Sequence, residues 1–105
     1  MIEDLLKALD EKDFAYFERT MHDESDYVDD FSMETKEQWL ESFKHNLSNA
    51  PDGFFKNQRE IMLDRPEITT MSFVREIDGV NFKIINVALW KDGKAWRQIV
   101  NRVPV

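Results

Sequence analysis

Two Asp-Gly pairs, Asp78-Gly79 and Asp92-Gly93, punctuate the long apolar runs of the C-terminal third of the chain. Asp-Gly between alternating hydrophobics favours a two-residue type I′ turn, because both central positions need positive φ. Residues from about Ile68 to Val103 therefore read as a three-stranded antiparallel meander. The first turn pairs Ile77 with Val80, Arg75 with Phe82, Phe73 with Ile84 and Met71 with Asn86. The second pairs Trp90 with Ala95, Ala88 with Arg97, Asn86 with Ile99 and Ile84 with Asn101. Side chains alternate with period two, so one face is expected to carry Phe73, Asn86, Trp90, Arg97 and Asn101 among apolar neighbours. The other is centred on Ile85, Val87, Leu89, Trp96 and Val100.

The N-terminal half has helical spacing instead. Leu5, Leu6 and Leu9 follow Ile2 in a first short helix that ends at Asp10-Glu11-Lys12-Asp13. Asp13 is a good N-cap for a second helix carrying Phe14, Phe17 and Met21, with Tyr16 beside that stripe. The acidic stretch from His22 to Met33 alternates weakly around Tyr27 and Phe31, which allows a short edge strand or an ordered loop. Thr35-Lys36-Glu37-Gln38 has the capping-box pattern and opens a third helix through Trp39, Leu40, Phe43 and Leu47. Pro51 and Gly53 stop it, and a strand is expected around Gln58–Asp64. Helices followed by a meander make an α+β domain rather than alternating βαβ units.

At 105 residues the chain is long enough for one core, so residues 1–105 are expected to form one domain. It has no cysteine, which excludes disulfides, zinc-thiolate sites and a cysteine nucleophile. Residues 1–64 carry 17 acids against 7 bases, and residues 65–105 carry 4 against 7. That acidity argues against a nucleic-acid partner. The start of the chain lacks the basic and apolar regions of a signal peptide, and no run approaches a membrane span, so no membrane partner is expected and the cytoplasm is the expected location.

The helix pair with Asp at its junction (Ala8-Leu9-Asp10-Glu11-Lys12-Asp13-Phe14), the acidic segment, the helix opening Thr-Lys-Glu-Gln-Trp-Leu and the hairpin Trp-Lys-Asp-Gly-Lys-Ala-Trp-Arg together resemble the nuclear transport factor 2-like superfamily, in its SnoaL-like branch. The resemblance spans nearly the whole chain. It implies a cystatin-like α+β cone, a curved and mostly antiparallel sheet wrapped around helices, usually dimeric, with a pocket inside. Isomerases, dehydratases, cyclases and non-catalytic binding domains share that architecture, so it does not specify an activity.

The residues expected to line a pocket are Tyr16, Trp39, Phe73, Asn86, Trp90, Arg97 and Asn101, since a few polar groups in an apolar concavity are how small-molecule sites are built. For Tyr16 and Trp39, aromatics at helical spacing, core packing is the simpler reading. The outer face of Ile85, Val87, Leu89, Trp96 and Val100 is too apolar to leave wet, which points to a homodimer. For chemistry, Asp23 or Asp29 beside Tyr27 could supply a base and a hydrogen-bond donor, with Arg97 stabilising negative charge, for cofactor-independent isomerisation or dehydration. A solvated acidic loop is the simpler reading of Asp23, Asp26, Asp29 and Asp30. Enzymes resembling this chain carry a catalytic His or Asp on their late strands, and residues 94–105 contain neither.

No metal or cofactor is expected. Calcium fails because Tyr27 and Val28 stand where a loop begun at Asp23 needs an oxygen ligand and glycine. His22 and His45 lack a metal-ligand spacing, and the chain has no glycine-rich phosphate loop. The expected protein is a homodimeric binder of a small, largely apolar molecule. The alternatives are an isomerase or dehydratase, and a protein-interaction module using the outer sheet face.

Overall fold

The computed structural model describes residues 2–29 and 32–105. Helix α1 (Ile2–Glu11) turns its apolar stripe inward, burying Ile2, Leu6, Ala8 and Leu9. It ends at Lys12, which takes the left-handed conformation (φ 57°). The Asp13 side chain then accepts the Tyr16 N–H and caps α2 (Phe14–Thr20). This helix is shorter than the sequence predicts, because Met21 already begins a strand, β1 (Met21–Val28). Strand β2 (Met33–Thr35) leads into α3 (Lys36–Asn49). The expected capping box is present: Thr35 Oγ1 accepts the Gln38 N–H at 3.4 Å, and Gln38 Oε1 accepts the Thr35 N–H at 3.0 Å. A single 3₁₀ turn (Phe54–Lys56) precedes β3 (Glu60–Arg65), β4 (Ile68–Ile77), β5 (Val80–Lys91) and β6 (Lys94–Pro104).

All six strands form one sheet in the order β2-β1-β6-β5-β4-β3. The acidic segment is therefore not an edge strand: β1 lies between β2 and β6, parallel to β6. Every other pairing is antiparallel. The fold is α+β, with three helices and a mixed, mostly antiparallel sheet. Phe31 and Asp30, both expected in the acidic segment, lie outside the described residues.

Both Asp-Gly turns form as expected, with positive φ at Asp78, Gly79, Asp92 and Gly93. The β4–β5 register follows in full, including Arg75 with Phe82 and Met71 with Asn86. In the β5–β6 hairpin the expected register holds only for its first two pairs, Lys91 with Lys94 and Trp90 with Ala95. A bulge then places Leu89 opposite Arg97, so Trp96 is the extra residue. Beyond it every β6 residue lies on the face opposite to the one predicted: Gln98, Val100 and Arg102 join Ala88, Asn86 and Ile84 on the helix-facing side. Arg97, Ile99 and Asn101 join Leu89, Val87 and Ile85 outside.

The core lies between the helices and the inner sheet face. Leu6, Leu9, Phe17, Trp39 and Leu47 pack toward Met71, Phe73 and Ile84. Trp39 stacks on Phe43 at 4.3 Å and faces Tyr27 at 5.4 Å between ring centroids.

Candidate functional site

The helices do not fill the curve of the sheet, and a cavity of about 660 Å³ remains between them. Its walls are apolar, with Phe17, Trp39 and Phe43 on the helical side and Met71, Phe73, Ile84, Trp90 and Val100 on the sheet side. Phe54 and Phe55 close a third side, both edge-on to Phe73.

The segment carrying these two phenylalanines is held from both ends. Lys12 Nζ donates to the Ala50 carbonyl at 2.5 Å. Arg59 makes a two-pronged ion pair with Asp10, at 2.6 and 3.0 Å, and its Nε donates to the Phe55 carbonyl. Both groups of the Asp10–Arg59 pair are largely buried, where a bidentate geometry counts for more than at the open surface. The acidic α1–α2 junction thus fixes the aromatic end of the cavity.

Polar groups interrupt these walls: Ser42, His45, Asn46 and Asn49 border the cavity from α3, and Tyr27, Asn86 and Gln98 from the sheet. Inward from β1, Tyr27 lies beside Gln98 of β6, and Asn86 of β5 donates to the Gln98 carbonyl oxygen at 3.5 Å. The Trp90 indole N–H is taken up by Thr69 Oγ1 at 2.9 Å, so Trp90 presents hydrocarbon to the cavity. Burial pushes the Tyr27 phenol up to about 12, with nearby Asp29 and Glu34 adding to the shift. A hydrogen bond from the Trp39 side chain works against it. Since indole N–H only donates, the Tyr27 oxygen is the acceptor there.

No family model matches the sequence, and no curated protein sequence matches it. Solved structures do match in shape. A nuclear transport factor 2-like protein of unknown function from Cytophaga hutchinsonii superposes with a TM-score of 0.67 at 8% identity, covering 97% of this chain and 86% of that one. A protein from Sphaerobacter thermophilus gives 0.71 at 8% identity, over 97% and 92% of the two chains. An LEH-like epoxide hydrolase from M. tuberculosis gives 0.67 at 17% identity, over 97% and 79%. The chain has the nuclear transport factor 2-like fold. At these identities the likeness extends to the fold and not to an activity.

Within this nuclear transport factor 2-like fold, Trp39, Phe73, Asn86 and Trp90 border the cavity as expected of pocket residues. Tyr16 does not; it is half-buried and packs edge-on against Phe17. The bulge moves Arg97 to the outer face, where its guanidinium lies 4.1 Å from the Trp96 ring centroid, donates to the Glu24 carbonyl and faces Asp26 at 3.6 Å. It cannot stabilise charge inside the cavity. Asn101 belongs to the outer register and meets the cavity only at its rim, between inward-facing Val100 and Arg102. Val100, expected outside, lines the cavity. Ile85, Val87 and Leu89 do face outward, and Trp96 sits at the bulge itself.

The acidic segment is split between environments. Asp23 is exposed and ion-paired to Lys36 at 3.1 Å, and that hydrogen bond holds its carboxyl below the usual range. Asp26 is outside with Arg97. Asp29 borders the cavity and accepts both the N–H and the hydroxyl of Ser32, at 2.8 and 3.0 Å. Sequence reasoning passed over Gln98, Glu34, Arg102, Phe54 and Phe55. For Gln98 and Arg102 the sequence signal existed only on the assumption of a bulge at Trp96. Among the described residues no cluster of three metal-ligating side chains occurs, and no helix is long and apolar enough to cross a membrane.

Proposed function

We propose that the cavity binds a small, largely apolar molecule and that the protein's role is that of a binding domain. The observation that carries this reading is an aromatic-walled space of about 660 Å³, within the usual range of ligand sites, on which Tyr27, Asn86 and Gln98 converge from neighbouring strands. Tyr27 offers a proton, and the two amides offer both donors and acceptors.

Proton-transfer chemistry fits less well. Asp23 and Asp26 point away from the cavity, and Asp29 is occupied by Ser32. An isomerase or dehydratase reading would have to use Asp29 as base with Tyr27 as donor.

Trp39 and Trp90 both line the cavity, so their fluorescence reports its occupancy. Titration with anilinonaphthalene sulfonate should give saturable quenching with one site per chain. Ala88 is buried against the cavity, and Ala88→Phe directs a ring into the space a ligand would occupy. This variant should lose probe binding at least tenfold. Undiminished binding in a folded variant would remove the cavity as the site.

We further infer that the outer sheet face pairs with a second copy of the chain. Met33, Val28, Ile99 and Val87 lie in one cross-strand row, flanked by Leu89 and Ile85. Met33, Ile99 and Leu89 are exposed and Val28, Val87 and Ile85 half-buried, a larger apolar surface across four strands than a monomer normally presents to water.

A further inference from the structure

The rim of the cavity has a charge asymmetry that its apolar walls do not require. Asp29 and Glu34 border it on the β1–β2 side, and Arg75 and Arg102 border it at the ends of β4 and β6. The two carboxylates are engaged, Asp29 by Ser32 and Glu34 by the Ser42 hydroxyl at 3.3 Å. Arg75 and Arg102 converge on one stretch of rim, because Phe82 is the cross-strand partner of Arg75 and carries the Arg102 guanidinium 5.3 Å from its ring centroid.

Arg75 itself lies 5.1 Å from the centroid of Phe54, a cavity-wall residue. A guanidinium held over a ring still has N–H donors to offer a planar, two-oxygen acceptor. Among the described residues no carboxylate pairs with Arg75, although the chain has 21 acids against 14 bases. Its positive charge also acts on Tyr27, lowering that phenol against the larger effect of burial, so its field extends over the polar part of the site.

We propose that the ligand is an amphipathic monocarboxylic acid, with its apolar body among Trp39, Phe73 and Trp90 and its carboxylate at the rim against Arg75. This rests on the reading of the cavity as a small-molecule site. A protein of net charge −7 disfavours anions at long range, so an acid must be recognised by a local cation. Asp29 and Glu34 repel a carboxylate from the other side of the rim and so fix its direction. A cationic amphiphile would face the reverse arrangement, with its charge driven away from Arg75.

The test is calorimetric titration with three ligands of one chain length, decanoate, decanol and decylamine, at about pH 8 and low salt. Decanoate should bind about tenfold more tightly than decanol, and decylamine should bind most weakly. In Arg75→Gln the ratio of decanoate to decanol affinity should fall about tenfold, while Arg75→Lys should retain part of it. Because the ratio is taken within one variant, a general change in stability does not mimic the result. Decanol or decylamine matching decanoate, or a ratio unaltered in Arg75→Gln, would overturn the assignment of an acid and leave the cavity as a site for a neutral or cationic molecule. Binding of none of the three would overturn the small-molecule reading as well.

Discussion

Burial of Tyr27 against Trp39 keeps its phenol protonated far into the alkaline range, and this has a consequence for stability as well as for binding. The unfolded phenol ionises near 10.0, whereas the folded one holds its proton to about 12. Between those values the unfolded state binds fewer protons, so stability falls as pH rises, by at most about 1.4 kcal/mol per pH unit, and the effect vanishes below the lower value. Tyr27→Phe lacks it. Urea midpoints measured at about pH 9 and about pH 11 should therefore drop further for the unmodified protein than for Tyr27→Phe. Tyr16, whose phenol is also raised by burial, is common to both proteins and cancels in the comparison. Equal drops would show that the Tyr27 phenol is not held in the apolar setting described.

The two hairpins of the meander carry the same turn chemistry and differ in how much of their register that chemistry determines. At Gly93 φ is +72°, and a Cβ built there meets nothing within 4 Å, so substitution is opposed by backbone conformation alone. Gly93→Val should cost about 1–2 kcal/mol, seen as a lower denaturant midpoint, because a β-branched residue resists the left-handed region. An unchanged midpoint would contradict the type I′ turn. The turn was readable from the Asp-Gly pair, but the bulge at Trp96, three residues beyond Gly93, was not. Inward-facing Arg97, Ile99 and Asn101 and inward-facing Gln98, Val100 and Arg102 are equally plausible alternations of polar and apolar groups. The choice depends on β1, which runs parallel to β6 with four residues, His22 to Ser25, opposite the single Trp96. That pairing joins segments more than seventy residues apart and leaves no local periodicity to read. Asn86 and Trp90, on the strand the first turn determines, were placed beside the cavity, whereas beyond the bulge Arg97 lies away from it and Asn101 reaches it only from the outer register.

For the whole molecule, one sheet serves two surfaces whose demands differ. The inner face is concave, enclosed by helices and lined with rings, and the outer face presents Met33 at 67%, Ile99 at 46% and Leu89 at 39% exposure. Ile99 is the best probe of the proposed self-association, because it lies in the middle of the cross-strand row between Val28 and Val87 and is already half in water. Ile99→Asp should thus alter the fold of the single chain little, within about 1 kcal/mol for an exposed site. In a desolvated face-to-face interface the same substitution would bury two unpaired carboxylates across the symmetry axis, a penalty of several kcal/mol. Sedimentation velocity at micromolar concentration should give a dimer for the unmodified protein and a folded monomer, with an unchanged circular dichroism spectrum, for Ile99→Asp. A monomer for the unmodified protein would free the outer face for a different partner. A dimer that survives the substitution would place the contact elsewhere on the molecule.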